Sequence, residues 1–186
     1  MTGRLATLTG DFLAQSPLRH GPFRVFYAGA IAAALGYTMQ TTVAAWLMAT
    51  LTPSAVMVAL VQTASTAPAL LFGLFAGAMA DIVDRRKVIV ATQVVLVAAS
   101  ALLGVAAIAG WVGPAMLLAM TFVVGAGFAF YQPAQQASVN DLVARADVPR
   151  AVALGPVARN AARAVGPALA GAAVAWLSTG SALLAS

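Results

Sequence analysis

Arg159 and Arg163 open a stretch that carries no further charge to the end of the chain. At helical periodicity Asn160, Arg163, Pro167 and Gly171 share one face, with Arg159 on its flank. A guanidinium more than a turn into an apolar helix is costly, so its presence calls for a reason. It can contact an anionic group or a substrate, or form a switch ion pair with Asp141 or another carboxylate. The alternative is a side chain that reaches the lipid headgroups. A second polar set lies in Tyr37, Gln40 and Thr41, on one face with Ala44 and Met48. Gln40 either walls a cavity or bonds to a neighbouring helix, because an amide in hydrocarbon needs a partner. Gln132 belongs to a third group, with Tyr131, Gln135, Gln136 and Asn140, which forms a vestibule or a solvated loop. Gln62, Ser65, Thr66, Ala69, Gly73 and Gly77 make a stripe of small and weakly polar residues. Packing is the reading preferred there over ligand binding, since Gly73 and Gly77 form a G-x-x-x-G pair.

None of this is catalytic equipment. The only histidine is His20, cysteine is absent, and the five carboxylates do not pair within an apolar segment. No enzyme activity, metal or cofactor is expected.

The elements that position these residues are set by composition. The chain is 62% hydrophobic and 8% charged, with a mean hydropathy of +0.93. A soluble domain carries roughly 25% charged residues, so the solvent of this fold is largely hydrocarbon. Residues 25–80 and 88–140 hold no Asp, Glu, Lys, Arg or His. A bilayer core takes about 20 apolar helical residues, so each stretch accommodates two spans joined by a turn. The expected fold is all-α and transmembrane, with spans at about 25–51, 55–80, 88–109, 114–132 and 151–177 and the start of a sixth after a turn at Ser178–Ser181. Residues 1–24 form an N-terminal segment without the apolar core of a cleaved signal peptide, and the first span is expected to act as a signal-anchor.

Pro68 interrupts the second span and is expected to kink it. The ten basic residues support the topology. All precede the first span or lie between spans 2 and 3, between spans 4 and 5, or in the first turns of span 5. The connectors after spans 1, 3 and 5 carry none, which assigns the basic side, and the N-terminus, to the cytoplasm. The net charge of +5 is therefore read as topogenic. No nucleic-acid partner is expected, because aromatic-basic interleaving and recognition motifs are missing.

The segment from Gly77 to Lys87 resembles the signature between helices 2 and 3 of the major facilitator superfamily. Gly77, Ala80, Asp81, Arg85 and Arg86 match it, while Ile82 replaces the usual Arg and Asp84 the usual Gly. Gly166-Pro167-Ala168-Leu169-Ala170-Gly171 is similar to the helix-5 motif of exporters in that superfamily, with Ala170 in place of a glycine. Gln132-Pro133-Ala134, Asn140-Asp141-Leu142-Val143 and Ala151-Val152-Ala153-Leu154 resemble its multidrug and enterobactin-exporter-like branch. The likeness runs from about Phe23 to Leu177.

That resemblance implies a secondary transporter in which two bundles of about six helices rock about a midplane site, here an exporter of small molecules. It also implies that Asp81 engages a facing helix terminus and that Arg85 pairs with a carboxylate to latch one state. A carboxylate at a helix N-terminus is worth about 0.3–1 kcal/mol, up to about 2 when partly buried, enough to bias an equilibrium without locking it. Gly166, Pro167 and Gly171 would bend helix 5 and seal it against proton leak. Span 1 lacks the acidic residue that assists proton coupling in many relatives, Tyr37 following Gly36. The expectation is an N-terminal part whose partners are a small-molecule substrate, the lipid bilayer and a missing C-terminal bundle, in a multi-pass protein of the bacterial inner membrane. A non-transporting membrane scaffold that packs with partner helices is the alternative.

Overall fold

The computed structural model describes residues 17–184, and the surroundings of their side chains as far as 176. Most of the expected N-terminal segment, including Arg4 and Asp11, lies outside the described residues. A single 3-10 turn, Pro17–Arg19, leads into five helices: α1 (Gly21–Leu51), α2 (Ala55–Ile82), α3 (Arg85–Ile108), α4 (Pro114–Leu142) and α5 (Val148–Leu184). There is no strand among the described residues.

Local chemistry sets each boundary. Pro22 sits in the first turn of α1, where its missing N–H leaves no bond unmade. Ser54 caps α2, its side chain accepting from the Met57 N–H. Asp84 caps α3 by accepting from the Arg86 N–H at 2.9 Å. That explains a carboxylate where the family pattern has glycine, since a side-chain acceptor stabilises the helix start. Gly110, at φ +71°, ends α3 in the left-handed region. The Trp111 N–H then reaches back to the Ala106 carbonyl at 2.9 Å and the Gly110 N–H to the Ala107 carbonyl at 3.2 Å, which satisfies carbonyls that the last turn leaves open. Pro114 then occupies the first turn of α4.

Three expected boundaries move. Pro133 does not end the fourth span: α4 continues to Leu142, so Gln135, Gln136 and Asn140 are helical rather than a loop. The third span begins at Arg85 instead of 88, because Asp84 supplies the cap. Through Ser178–Ser181 the chain stays helical as far as Leu184, so the turn and the separate start of a sixth span are not formed.

Among the described residues, α2, α3 and α4 are long and apolar enough to cross a membrane. The other two of the five expected spans, α1 and α5, contain 31 and 37 residues; even the shorter extends about 46 Å at helical rise. They differ in carrying polar residues in mid-length, Tyr37 to Thr42 in α1 and Arg159 to Arg163 in α5. The hydroxyls of Thr38, Thr41 and Thr42 bond to carbonyls of their own helix, which lowers the cost of placing them at membrane depth.

Helix α4 is the hub. It packs along α2 and α3 and touches α1 and α5, while α1 lies along α5 and also meets α2. Two cores close the ends. Ala44, Met48, Val61, Leu103, Ala106, Val112 and Leu117 form one at the uncharged end. Phe23, Val139 and Ala151 form the other at the basic end. Outward, Leu70, Leu74 and Ile108 are about nine-tenths exposed (88%, 90% and 92%), an arrangement suited only to an apolar solvent. Trp46, near the end of α1, Trp111, just after α3, and Trp176, late in α5, are exposed as well. All three stand at the end opposite the helix starts that carry the arginines.

Candidate functional site

The polar mid-sections of the helices meet. Tyr37, Thr38 and Thr41 of α1, Gln62, Ser65, Thr66 and Ala69 of α2, Phe128 and Gln132 of α4, and Arg159 and Arg163 of α5 line a cavity of about 390 Å³. The walls are drawn together by small residues. A Cβ on Gly125 would lie 2.5 Å from the Ser65 carbonyl oxygen, so α2 and α4 cross there at a distance only glycine permits. On the other side a Cβ on Gly166 would meet Thr38 Cβ at 2.8 Å. Ala158, Ala162 and Ala170, all under 5% exposed, continue that close-approach stripe along α5 at the spacing that lets membrane helices touch.

Within the cavity the Tyr37 ring stacks on Phe128 with centroids 4.1 Å apart and planes 7° from parallel. The Tyr37 hydroxyl donates to the Ser65 carbonyl at 2.9 Å, the same carbonyl that Gly125 crowds. Ser65 Oγ and Thr66 Oγ1 both donate to the Gln62 carbonyl at 2.8 Å. Hydroxyl protons here are consumed by backbone, which leaves the Gln62 and Gln132 amides and the two guanidinium groups as the donors of the walls. Arg163 lies one turn before Gly166, whose contact with Thr38 falls midway along α1. That position is about midway between the two ends of the bundle.

Of the six residues anticipated as cavity-lining, Tyr37, Thr41, Gln132 and Arg163 surround this space. Gln40 and Asn160 do not, and this corrects their placement. Gln40 turns to α3, its carbonyl oxygen accepting from Ser100 Oγ at 2.6 Å, while its amide nitrogen is buried without a partner. Asn160 is exposed on the far flank of α5. Arg159, set aside as a flank residue, stands in the wall because it is one helical turn before Arg163. The stripe of α2 divides too. Gln62, Ser65, Thr66 and Ala69 are wall residues, whereas Gly73 and Gly77 have open space where a Cβ would stand and do not pack as a G-x-x-x-G pair among the described residues. Gly171 is likewise open, and Pro167 is exposed one residue beyond the Gly166 crossing.

At the basic end Arg85 Nη1 donates to Asp141 Oδ2 at 2.7 Å and to the Ala137 carbonyl at 3.2 Å. The start of α3 is thereby tied to the last turn of α4. Asp141 is thus the partner of Arg85, not of Arg159 or Arg163. Ala80, Val88 and Ala134 pack beneath this pair. Asp81, in the last turn of α2, and Arg86 are exposed, and Asp84 and Arg86 join Phe26 and Ile89 around a second cavity of about 630 Å³. Across the same end, Asp147 of the α4–α5 connection accepts from Arg19 Nη2 at 2.9 Å, with His20 Nε2 3.5 Å away. Burial pushes the Asp147 carboxyl up, but the His20 and Arg19 hydrogen bonds and their charge outweigh this and hold it below its usual range.

Long apolar helices, most of the arginines at one end and a polar cavity midway along the bundle point to a multi-pass membrane protein. Residues 13–185 match the family model of transmembrane secretion effectors within the major facilitator superfamily, and the chain belongs to that family. Comparison with curated proteins and with solved structures gives no match.

Proposed function

We propose that the chain forms the N-terminal bundle of a secondary active exporter, in which the mid-depth cavity is half of the substrate site. The observation that carries this reading is the convergence of α1, α2, α4 and α5 on one polar space, with two arginines in its wall. In hydrocarbon such a space is expensive unless a solute or water uses it. A second bundle would close it from the open side, and rocking of one bundle on the other would expose it to alternate faces of the membrane. In this reading the basic end faces the cytoplasm of a bacterial inner membrane. Asp81 meets the partner bundle, and the Arg85–Asp141 pair steadies one state. Gly166 and Pro167 shape α5 beside the cavity.

Expression from the full-length gene in an efflux-deficient host should lower accumulation of an amphipathic dye. Asp81→Asn and Arg163→Gln should each abolish that effect. Accumulation that stays at the level of the empty host with the unmodified gene would overturn the exporter reading. A second reading, a scaffold that packs with partner helices, draws on the open faces at Gly73 and Gly77. It requires that Gly73→Leu abolish association with the partner and that vesicles containing the protein transport nothing.

A further inference from the structure

We infer that the mid-depth cavity takes an anionic small molecule that carries an aromatic ring, its acidic group held between Arg159 and Arg163. This rests on the exporter reading only in treating that cavity as a substrate site.

Charge balance is the first ground. Arg159 and Arg163 both line the cavity, and among the described residues no carboxylate does. The described carboxylates are all placed elsewhere. Asp141 is held by Arg85 and Asp147 by Arg19 and His20. Asp84 caps α3, and Asp81 is exposed in the last turn of α2. Neither Arg159 nor Arg163 has an ion-pair partner among the described residues. Two like charges one turn apart repel, and in a low-dielectric surround an acidic ligand group relieves both at once.

Hydrogen-bonding polarity is the second ground. With the Tyr37, Thr41, Ser65 and Thr66 hydroxyl protons committed to backbone carbonyls, the guanidinium and amide N–H groups are the donors the walls offer, and they outnumber those protons. A donor-rich lining selects a ligand rich in acceptors. The third ground is shape. The Tyr37–Phe128 stack supplies an aromatic wall to the same space, and about 390 Å³ is room for a ligand of one or two rings.

The test uses the purified protein in a non-ionic detergent, with 1-naphthoate and 1-naphthamide as probes. They share a ring system and differ in charge. Calorimetry, corrected with empty micelles, should show naphthoate binding at least about tenfold more tightly, the return expected of one charge-assisted hydrogen-bonded contact. Arg159→Gln and Arg163→Gln should each weaken naphthoate by a similar factor and naphthamide by much less, while Arg163→Lys retains most of the preference. Equal affinity for the two probes in the unmodified protein overturns the inference, and needs no variant to fold. Tighter binding of 1-naphthylmethylammonium overturns it too. Dye efflux that persists without naphthoate preference would remove the anion assignment and leave the exporter reading standing. Arginine-dependent naphthoate binding in a protein that exports nothing would do the reverse.

Discussion

Gly166 of α5 rests against Thr38 of α1 so closely that a Cβ there would lie 2.8 Å from Thr38 Cβ and 2.9 Å from its Cγ2. The segment around Gly166 that resembles an exporter helix-5 motif is thus, in this chain, a contact between two helices that flank the polar cavity. Arg163 stands one turn before the contact and Tyr37 one residue from it, so the crossing fixes the distance between the arginine and the aromatic stack.

Gly166→Ala is accordingly expected to lower stability by about 1–3 kcal/mol, the usual cost of forcing extra atoms into a filled space. Thr38→Gly should recover most of the loss in the double variant, because it removes the atoms that clash. Thermal unfolding in detergent of the two single variants and the double variant measures the coupling. Equal losses in the presence and absence of Thr38 would place the cause elsewhere.

The glycines of α2 and α4 should separate sharply. At Gly125 the obstructing atom is the Ser65 backbone oxygen, 2.5 Å from the added Cβ, and backbone cannot rotate aside. Gly125→Ala should therefore be more damaging than Gly166→Ala. Gly73 and Gly77 meet nothing within 4 Å, so alanine there should be neutral or stabilise by about 0.5–1 kcal/mol through helix propensity. Melting temperatures of the four alanine variants test the ordering.

Arg85 and Asp141 predict a different kind of effect. Their side chains are 34% and 65% exposed, and exposed pairs contribute about 0–1 kcal/mol to folding. In the exporter reading, Asp141→Asn should leave the unfolding midpoint nearly unchanged while altering the balance between inward- and outward-open states. Exchanging the two residues, Arg85→Asp with Asp141→Arg, should restore that balance if charge pairing is what matters. Double electron–electron resonance between a spin label on α3 and one on the proposed second bundle reads the state populations.

Acid should weaken the clasp at Asp147. Its folded-state carboxyl lies below the ordinary value of 3.8, so the folded state binds this proton less readily than the unfolded chain does. The stabilisation is fully present above the ordinary value and is lost as pH falls through the depressed one. Asp147→Asn should flatten that part of the acid limb in a plot of midpoint against pH. An unchanged acid limb would show that Arg19 and His20 do not hold the carboxylate in solution.

Much of this was legible from residue type and spacing. Charge-free segments located the helices, because hydrocarbon excludes unpaired charge whatever the tertiary contacts. Arg163 and Tyr37 could each be marked as a candidate because polar groups at membrane depth must find partners or water, but that they share one space is shown only by the structure. Gln40 was not resolvable in this way: both of its alternatives satisfy the same energetic demand, and only the position of Ser100 on α3 decides between them. Pro133 does not end α4, since a bundle of neighbouring helices tolerates a proline that would stop a helix in water. The G-x-x-x-G pair of α2 drew attention from the productive small-residue stripe, Ala158, Ala162, Gly166 and Ala170, whose alanines look like filler. Its four-residue repeat was visible, but which repeat finds a partner is a property of the whole bundle.

The tryptophans give the molecule a built-in optical polarity. Trp46, Trp111 and Trp176 all stand at the end remote from the arginines, so brominated lipid confined to one leaflet of a vesicle should quench the intrinsic fluorescence from that side alone. Light emission then reports which way each copy entered the bilayer, with no label added and no residue changed.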